Sequence, residues 1–156
     1  MSIEAGKKAP DFNLPDQDGK NHKLSDLKGN ITLIYFYPKD ETPGCTIQAC
    51  SLRDNFELLQ KDGVNVVGVS KDDVASHAKF SKHHKLPFPI LADPDKKMIE
   101  AYEAWGERNL YGRKFMGTVR SAVLVGPKLT VLRHWPKISP LKTVPEVRKW
   151  LKQQTT

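Results

Sequence analysis

Residues Ile31–Tyr37 are apolar, β-branched or aromatic at almost every position, and Val64–Ser70 repeats that character. Short runs without polar alternation predict strands buried on both faces, hence central in a sheet. From about Cys45 to Gly63 the pattern changes period. Leu52, Phe56 and Leu59 fall at i, i+4 and i+7, predicting a helix with one face on the core and Gly63 as its C-terminal cap. Asp72 or Asp73 is placed to cap a second helix reaching about Lys85. The two prolines in Leu86–Leu91 exclude helix there and predict a short extended edge segment. Asp93-Pro94 opens a short helix carrying Met98, Ile99 and Tyr102. Gly106 to Gly117 reads as a long polar loop. Val119–Val125 and Leu129–Trp135 read as strands joined at Gly126-Pro127-Lys128 in a hairpin. In the last helix Thr143 and Glu146 have capping-box spacing ahead of Val147, Trp150 and Leu151. Upstream, residues 6–30 are turn-rich, and Phe12-Asn13-Leu14 suggests a small N-terminal β-hairpin at the edge of the fold.

Strand, helix, strand, helix, then a hairpin and a final helix predict an α/β fold. Its central mixed β-sheet is flanked by helices on both faces. With 156 residues and neither repeat nor linker, a single domain spanning 1–156 is expected. Hydrophobic residues are 38% and charged residues 28%, an ordinary globular balance, and no apolar run is long enough to cross a bilayer, so no membrane association is expected. The first eight residues lack the apolar stretch of a secretory signal, and a cytoplasmic protein is expected. The net charge of +7 invites anionic partners. The basic residues are dispersed, however, and the aromatics do not interleave with them, so no nucleic-acid partner is expected.

The chain has two cysteines, Cys45 and Cys50. Thr42-Pro43-Gly44 is turn chemistry after the first central strand, so Cys45 falls where a helix begins. Unpaired amides and the positive end of the helix dipole favour a thiolate there. In a cytosolic protein such a pair points to redox chemistry rather than a structural disulfide. A space-filling thiol is the alternative, but Cys45 follows Pro-Gly rather than an apolar run. The spacing is not that of a tetrahedral zinc site, and the five histidines show no paired ligand pattern, so neither metal nor cofactor is expected. His83-His84, beside Lys82 and Lys85, reads as a solvated helix end, and Arg53-Asp54 as an ion-pairing patch. A reactive cysteine after the first central strand fits a thioredoxin-like arrangement.

Pro38-x-x-x-Thr42-x-x-Cys45 resembles the active-site motif of peroxiredoxins. The longer string Tyr35-Phe36-Tyr37-Pro38-Lys39-Asp40, with Thr42-Pro43-Gly44-Cys45-Thr46 and Ala49-Cys50, resembles the Q-type subgroup, also called bacterioferritin comigratory proteins. Ala9-Pro10-Asp11-Phe12, Gly68-Val69-Ser70, Leu86-Pro87-Phe88, Asp93-Pro94-Asp95, Trp105-Gly106-Glu107 and Gly117-Thr118-Val119-Arg120-Ser121 extend the likeness over most of the chain. The resemblance implies a thioredoxin-like fold and the reduction of hydrogen peroxide and organic hydroperoxides in antioxidant defence. Thioredoxin is then the reductant and a monomer the usual state. It implies that Cys45 is the peroxidatic cysteine, Cys50 the resolving one, Thr42 and Arg120 active-site residues and Pro38 a shield for the sulfur. By position alone, Arg120 is a surface or ion-pairing arginine, Thr42 a cap or turn residue, and Pro38 the end of a strand.

If Cys50 resolves Cys45, helix geometry sets a condition. Residues five apart in an α-helix rise about 7.5 Å and turn roughly 140° past a full circle, leaving Cα atoms about 8.6 Å apart. A disulfide needs about 4.4–6.8 Å. Either the first turns unwind after oxidation, or Cys50 is not the resolving thiol. Two rival readings remain. A protein disulfide oxidoreductase normally carries C-x-x-C, against the four-residue gap here. A redox-switched binding protein or chaperone would use the disulfide only to change shape.

Overall fold

The computed structural model describes residues 3–154. In chain order the elements are β1 (Asn13–Pro15), β2 (Asn21–Lys23), β3 (Ile31–Phe36), α1 (Pro43–Asp54), α2 (Phe56–Lys61), β4 (Val64–Ser70), α3 (Val74–His84), β5 (Ile90–Ala92), α4 (Lys97–Ala101), β6 (Trp105–Leu110), β7 (Arg113–Thr118), β8 (Ser121–Val125), β9 (Val131–Trp135) and α5 (Thr143–Gln154). A five-stranded sheet in the order β5-β4-β3-β8-β9 forms the centre. β3 pairs parallel to β4 and antiparallel to β8, so the sheet is mixed, and β1-β2 is the expected N-terminal hairpin.

Alternation along β3 divides the core. Leu33, Tyr35 and Tyr37 face one apolar cluster with Leu52 of α1, Leu59 of α2, Phe80 of α3 and Val144 and Val147 of α5. Ile34 and Phe36 face the other, with Met98 and Ile99 of α4 and the N-terminal residues Ile3, Ala9 and Phe12. Burial on both faces is why the β3 and β4 runs lack polar alternation. Among the described residues no helix is long and apolar enough to cross a membrane.

Several expectations are corrected. The helix expected from Cys45 to Gly63 begins at Pro43, a proline at the first helical turn where its missing N–H is tolerated, and it breaks at Asn55. The Asn55 side chain donates to the Ser51 carbonyl at 2.8 Å, a local bond that competes with continuing the helix. Of the two candidate caps, Asp72 and Asp73, it is Asp73 that caps α3 by accepting from Ser76 N at 2.8 Å, and the helix ends as expected near Lys85, which is left-handed. α4 begins at Lys97 rather than at Asp93-Pro94; the Asp93 carboxylate instead accepts from Ile99 N. Burial holds the Asp93 carboxyl above its ordinary value, against the backbone amides that lower it. The loop expected over 106–117 is the hairpin β6–β7. Its mostly exposed strands carry little apolar alternation, whereas Tyr111-Gly112 at positive φ marks the tight turn. The strands expected from Val119 and Leu129 start at Ser121 and Val131. Thr143 is the first residue of α5 and not a cap; its hydroxyl donates to Ser139 O at 3.0 Å.

Gly68 of β4 lies between Tyr35 and Ile90 in the sheet register. A Cβ there would stand 2.9 Å from the Tyr35 ring and 2.9 Å from a methyl of Ile90. The glycine thus makes room for the Tyr35 ring, which packs in the same apolar cluster as Cys45, Ala49 and Leu52 of α1. We expect Gly68→Ala to lower the unfolding free energy by about 1–3 kcal/mol, the usual cost of overpacking, read as a reduced urea midpoint at unchanged slope. An unchanged midpoint would mean that Tyr35 can move aside freely.

Candidate active site

The site is built where β3 ends. Tyr37 N still donates to Val69 O, and the chain then turns through Pro38–Thr42 into α1. Pro38 occupies this turn half-buried, where its missing N–H leaves no ladder bond open. Asp40 is buried and accepts from the Tyr37 hydroxyl at 2.6 Å and from Ser76 Oγ at 2.8 Å. His77 Nδ1 stands 2.6 Å from the same carboxylate. His77 Nε2 faces Leu91 O, which can only accept, so that nitrogen carries a proton. Asp40 N donates to Asp72 Oδ2. The turn is therefore tied to α3 by buried polar bonds, which the apolar pattern of the chain does not reveal.

Thr42 precedes α1 in an extended conformation, at the cap position. Its hydroxyl donates to Lys39 O at 2.7 Å and makes no side-chain bond to the helix. The proton is thus committed, and the oxygen keeps its acceptor capacity for a molecule arriving at the helix end. Gly44 and Cys45 lie within the first turn, whose N–H groups have no intrahelical acceptor.

Cys45 Sγ is buried, 2% exposed, and receives Arg120 Nη2 at 3.5 Å. Arg120 stands immediately before β8, and its own carbonyl accepts from Ile138 N. A Cβ on Gly44 would meet Nη2 at 3.0 Å, so this glycine makes room for the guanidinium. The second guanidinium nitrogen, Nη1, donates to Gln48 Oε1 at 2.7 Å. Gln48 Nε2 donates to Thr143 Oγ1 at 2.9 Å, and the Thr143 hydroxyl donates in turn to Ser139 O. A relay of fixed dipoles from α5 through α1 thus aims the cation at the sulfur. Gln48 and Thr143, both fully buried, are site residues that sequence reasoning missed or misread. The one signal was a polar residue, Gln48, set one turn beyond Cys45 on a helix between apolar layers.

Below the sulfur lies Tyr35, whose hydroxyl is buried without a hydrogen-bond partner among the described residues. Burial, and after it the negative charge of the nearby Cys45 sulfur, push the Tyr35 phenol well above its ordinary range, so it stays neutral.

Both cysteines are free and both lie in the unbroken helix α1. The structure brings Arg120 to Cys45 but not Cys50 to Cys45. Cys50 Sγ lies instead 3.8 Å from His84 Nδ1 at the end of α3. His83 is exposed at the end of α3, as expected of a solvated helix end, whereas His84 is half-buried; Glu41 reaches both, at 2.9 Å from His83 Nδ1 and 2.9 Å from His84 Nε2. Arg53 pairs with Asp54 as expected, and its Nη1 also donates to His84 O at 2.8 Å.

The AhpC/TSA family pattern matches residues 5–134. A putative peroxiredoxin bcp of Coxiella burnetii is 44% identical over 138 residues, covering 88% of this chain and 91% of that protein. Peroxiredoxin Bcp of Bacillus subtilis is 39% identical over 155 residues, covering 99% of each chain. Among solved structures, a bacterioferritin comigratory protein of Xanthomonas campestris, studied for its alkyl peroxide reduction activity, superposes with a TM-score of 0.88 at 31% identity over 98% of this chain and 100% of that one. A peroxiredoxin Q of Xylella fastidiosa gives 0.91 at 26% identity over 100% and 99%.

A cation 3.5 Å from a buried sulfur stabilises its anionic form. With Cys45 as the sole thiol, in a Cys50→Ser background, Arg120→Ala is expected to slow its alkylation by iodoacetamide at pH 7 by about tenfold or more, that is at least about 1.4 kcal/mol. Arg120→Lys should recover only part, since a point charge lacks the planar fork that also reaches Gln48. Gln48→Leu should act in the same direction but less, by releasing the guanidinium from its relay. An unchanged alkylation rate in Arg120→Ala would make the arginine a purely structural residue.

Proposed function

Because the chain belongs to the AhpC/TSA family and is a peroxiredoxin, a thiol-dependent peroxidase, we propose that Cys45 is the residue its hydroperoxide substrate oxidises and Cys50 the thiol that resolves it. The observation that carries this reading is the Arg120 guanidinium 3.5 Å from Cys45 Sγ at the start of a helix. The Cys45 thiolate attacks the terminal peroxide oxygen. An S–O bond forms, the O–O bond breaks, and the hydroperoxide's own proton ends on the departing water or alcohol. Negative charge grows on both oxygens as the bond stretches. Arg120 and the free N–H groups of the first turn of α1 meet that charge in fixed positions, so little reorganisation is needed. Thr42 Oγ1 accepts from the peroxide O–H and orients it. Pro38, at the turn that roofs the helix start, limits water at the oxidised sulfur.

The sulfenate at Cys45 takes up a proton from solvent, and the sulfenic acid is then attacked by Cys50, giving an intramolecular disulfide and water. A thioredoxin-type dithiol reduces the disulfide by exchange. Since α1 holds the two sulfurs apart, its first turns open at this stage. Opening one helix end costs far less than unfolding the domain. Chain anchors lie on either side of the opening: Asp40 and Glu41 before it, Leu52 and Arg53 after it. The protein is further read as a single thioredoxin-like domain over 1–156, a monomer acting in antioxidant defence in the cytoplasm. One central five-stranded sheet with an apolar cluster on each face, a site assembled from a single chain, and two cysteines kept free support this reading.

With thioredoxin, its reductase and NADPH, Cys45→Ser is expected to abolish peroxide consumption. Cys50→Ser should consume about one equivalent and stall, because the nucleophile remains but the exchange partner is gone. Sustained thioredoxin-dependent turnover by Cys50→Ser would remove its resolving role. Hydrogen exchange should report the opening. After one equivalent of peroxide, amides over about 46–52 are expected to lose protection while those of β3 keep theirs. Equal protection of that segment before and after disulfide formation, with the disulfide confirmed by mass, would sink the opening step.

A further inference from the structure

Nothing in the peroxide step uses the group around Cys50. His84 is held on every side: Nε2 by Glu41 at 2.9 Å, its carbonyl by Arg53, its ring edge-on to Phe80 at 5.1 Å and against His83 at 4.2 Å between centroids. The Glu41 carboxylate only accepts, so Nε2 carries the proton and Nδ1 keeps its lone pair. That lone pair is the atom facing Cys50 Sγ at 3.8 Å. Glu41 itself sits at φ 63°, a left-handed conformation that non-glycine residues rarely adopt, and its carboxylate reaches both imidazoles from there.

We propose that Cys50, His84 and Glu41 form a resolving triad, in which His84 Nδ1 removes the Cys50 thiol proton and Glu41 fixes the imidazole tautomer. This rests on Cys50 being the resolving thiol. The Cys50 S–H bond breaks and its proton passes to Nδ1. The sulfur attacks Cys45 Sγ, the S–S bond forms and the S–O bond of the sulfenic acid breaks. The departing hydroxide takes a proton and leaves as water, returning His84 to its neutral state. No outside oxidant or reductant enters this step. His84 touches a reacting atom and is catalytic; Glu41 acts through it and is a positioning residue. The triad also stays assembled while Cys45 moves. The Cys50 half of α1 is fixed by buried Leu52 and by the Arg53 bond to the His84 carbonyl, and Glu41 lies before the first helical residue. The Cys45 end therefore travels to Cys50, which waits beside its base.

An ordinary thiol is only a few per cent ionised at neutral pH, so complete activation of Cys50 is worth up to about 30-fold. The test oxidises reduced full-length protein with one equivalent of hydrogen peroxide and follows sulfenic acid and disulfide by rapid quench and intact mass from pH 5 to 9. Charged and titratable groups around His84 are Glu41 from the turn, Cys50 and Arg53 from α1, and His83 from its own helix. In wild type the rate of disulfide formation should rise across the range where imidazoles titrate, about pH 5 to 8. In His84→Asn that limb should vanish. Disulfide formation at pH 7, taken relative to sulfenic acid formation in the same variant, should fall by about tenfold. Glu41→Gln should give a smaller fall with the limb kept, because the base survives without its carboxylate. As a second readout independent of peroxide, Cys50 alkylation in a Cys45→Ser background should slow at pH 7 on His84→Asn. A His84→Asn protein whose resolution ratio and pH profile match wild type, while Cys50→Ser still stalls, would overturn the triad alone. Full thioredoxin-dependent turnover by Cys50→Ser would overturn the triad and the resolving role together.

Discussion

One regular stretch of α-helix between Cys45 and Cys50 governs this molecule. While it stands, the Cys45 sulfur meets the guanidinium of Arg120 and the Cys50 sulfur meets the imidazole of His84, on different sides of α1. Five residues of helix separate the Cα atoms by about 8.6 Å, beyond disulfide reach. On the proposed roles of the two cysteines, the folded helix is the form that receives peroxide and its opened form the one that can close a disulfide. In that reading, two states of a short segment, rather than two sites on a rigid surface, divide the catalytic cycle. The surroundings of α1 are arranged accordingly: polar anchors hold the turn before it, apolar ones hold its second half, and the stretch between begins with Pro43-Gly44, the weakest helix formers available.

The same helix connects chemistry to packing. Its buried face packs with Tyr35 of β3 and Tyr37 just past it, and the Tyr35 ring has room there because Gly68 has no side chain. Gly44 does the corresponding work above, leaving space for Arg120. The guanidinium is then oriented through Gln48 and Thr143, so α5, far along the chain, helps to place the cation beside the sulfur in α1. Charge near the sulfur is preorganised by neutral hydrogen bonds, which carry no opposing carboxylate that would dilute it. The carboxylates of the region, Asp40 and Glu41, are instead turned toward His77, His83 and His84 on α3.

Much of this was legible from the order of residues. The unbroken apolar runs marked the two central strands, because a strand covered on both faces has no polar side to show. Pro-Gly before Cys45 marked the helix start, and the Pro38, Thr42, Cys45 and Arg120 pattern carried the family resemblance. The one-residue break at Asn55, the hairpin hidden in the polar stretch 106–117 and the placement of Thr143 as the first residue of α5 were not legible. Each depends on a local side-chain bond or on exposure of both strand faces, and hydrophobic periodicity records neither.

The sequence by itself determined the layered α/β architecture, the position of a reactive thiol at a helix start and the incompatibility of an intact helix with a Cys45–Cys50 bond. These follow from short-range rules: side-chain period, turn chemistry and the fixed rise of a helix. Only the tertiary structure decided which groups surround each sulfur. Arg120 reaches Cys45 across 75 residues and His84 reaches Cys50 across 34, separations at which local pattern holds no information. Those partners are set by strand order, which lays β8 beside β3, and by the crossover that brings the end of α3 back against α1. Long-range contacts of this kind arise from how whole elements pack, and a hydrogen bond between two buried side chains is a consequence of that packing that neither residue announces alone.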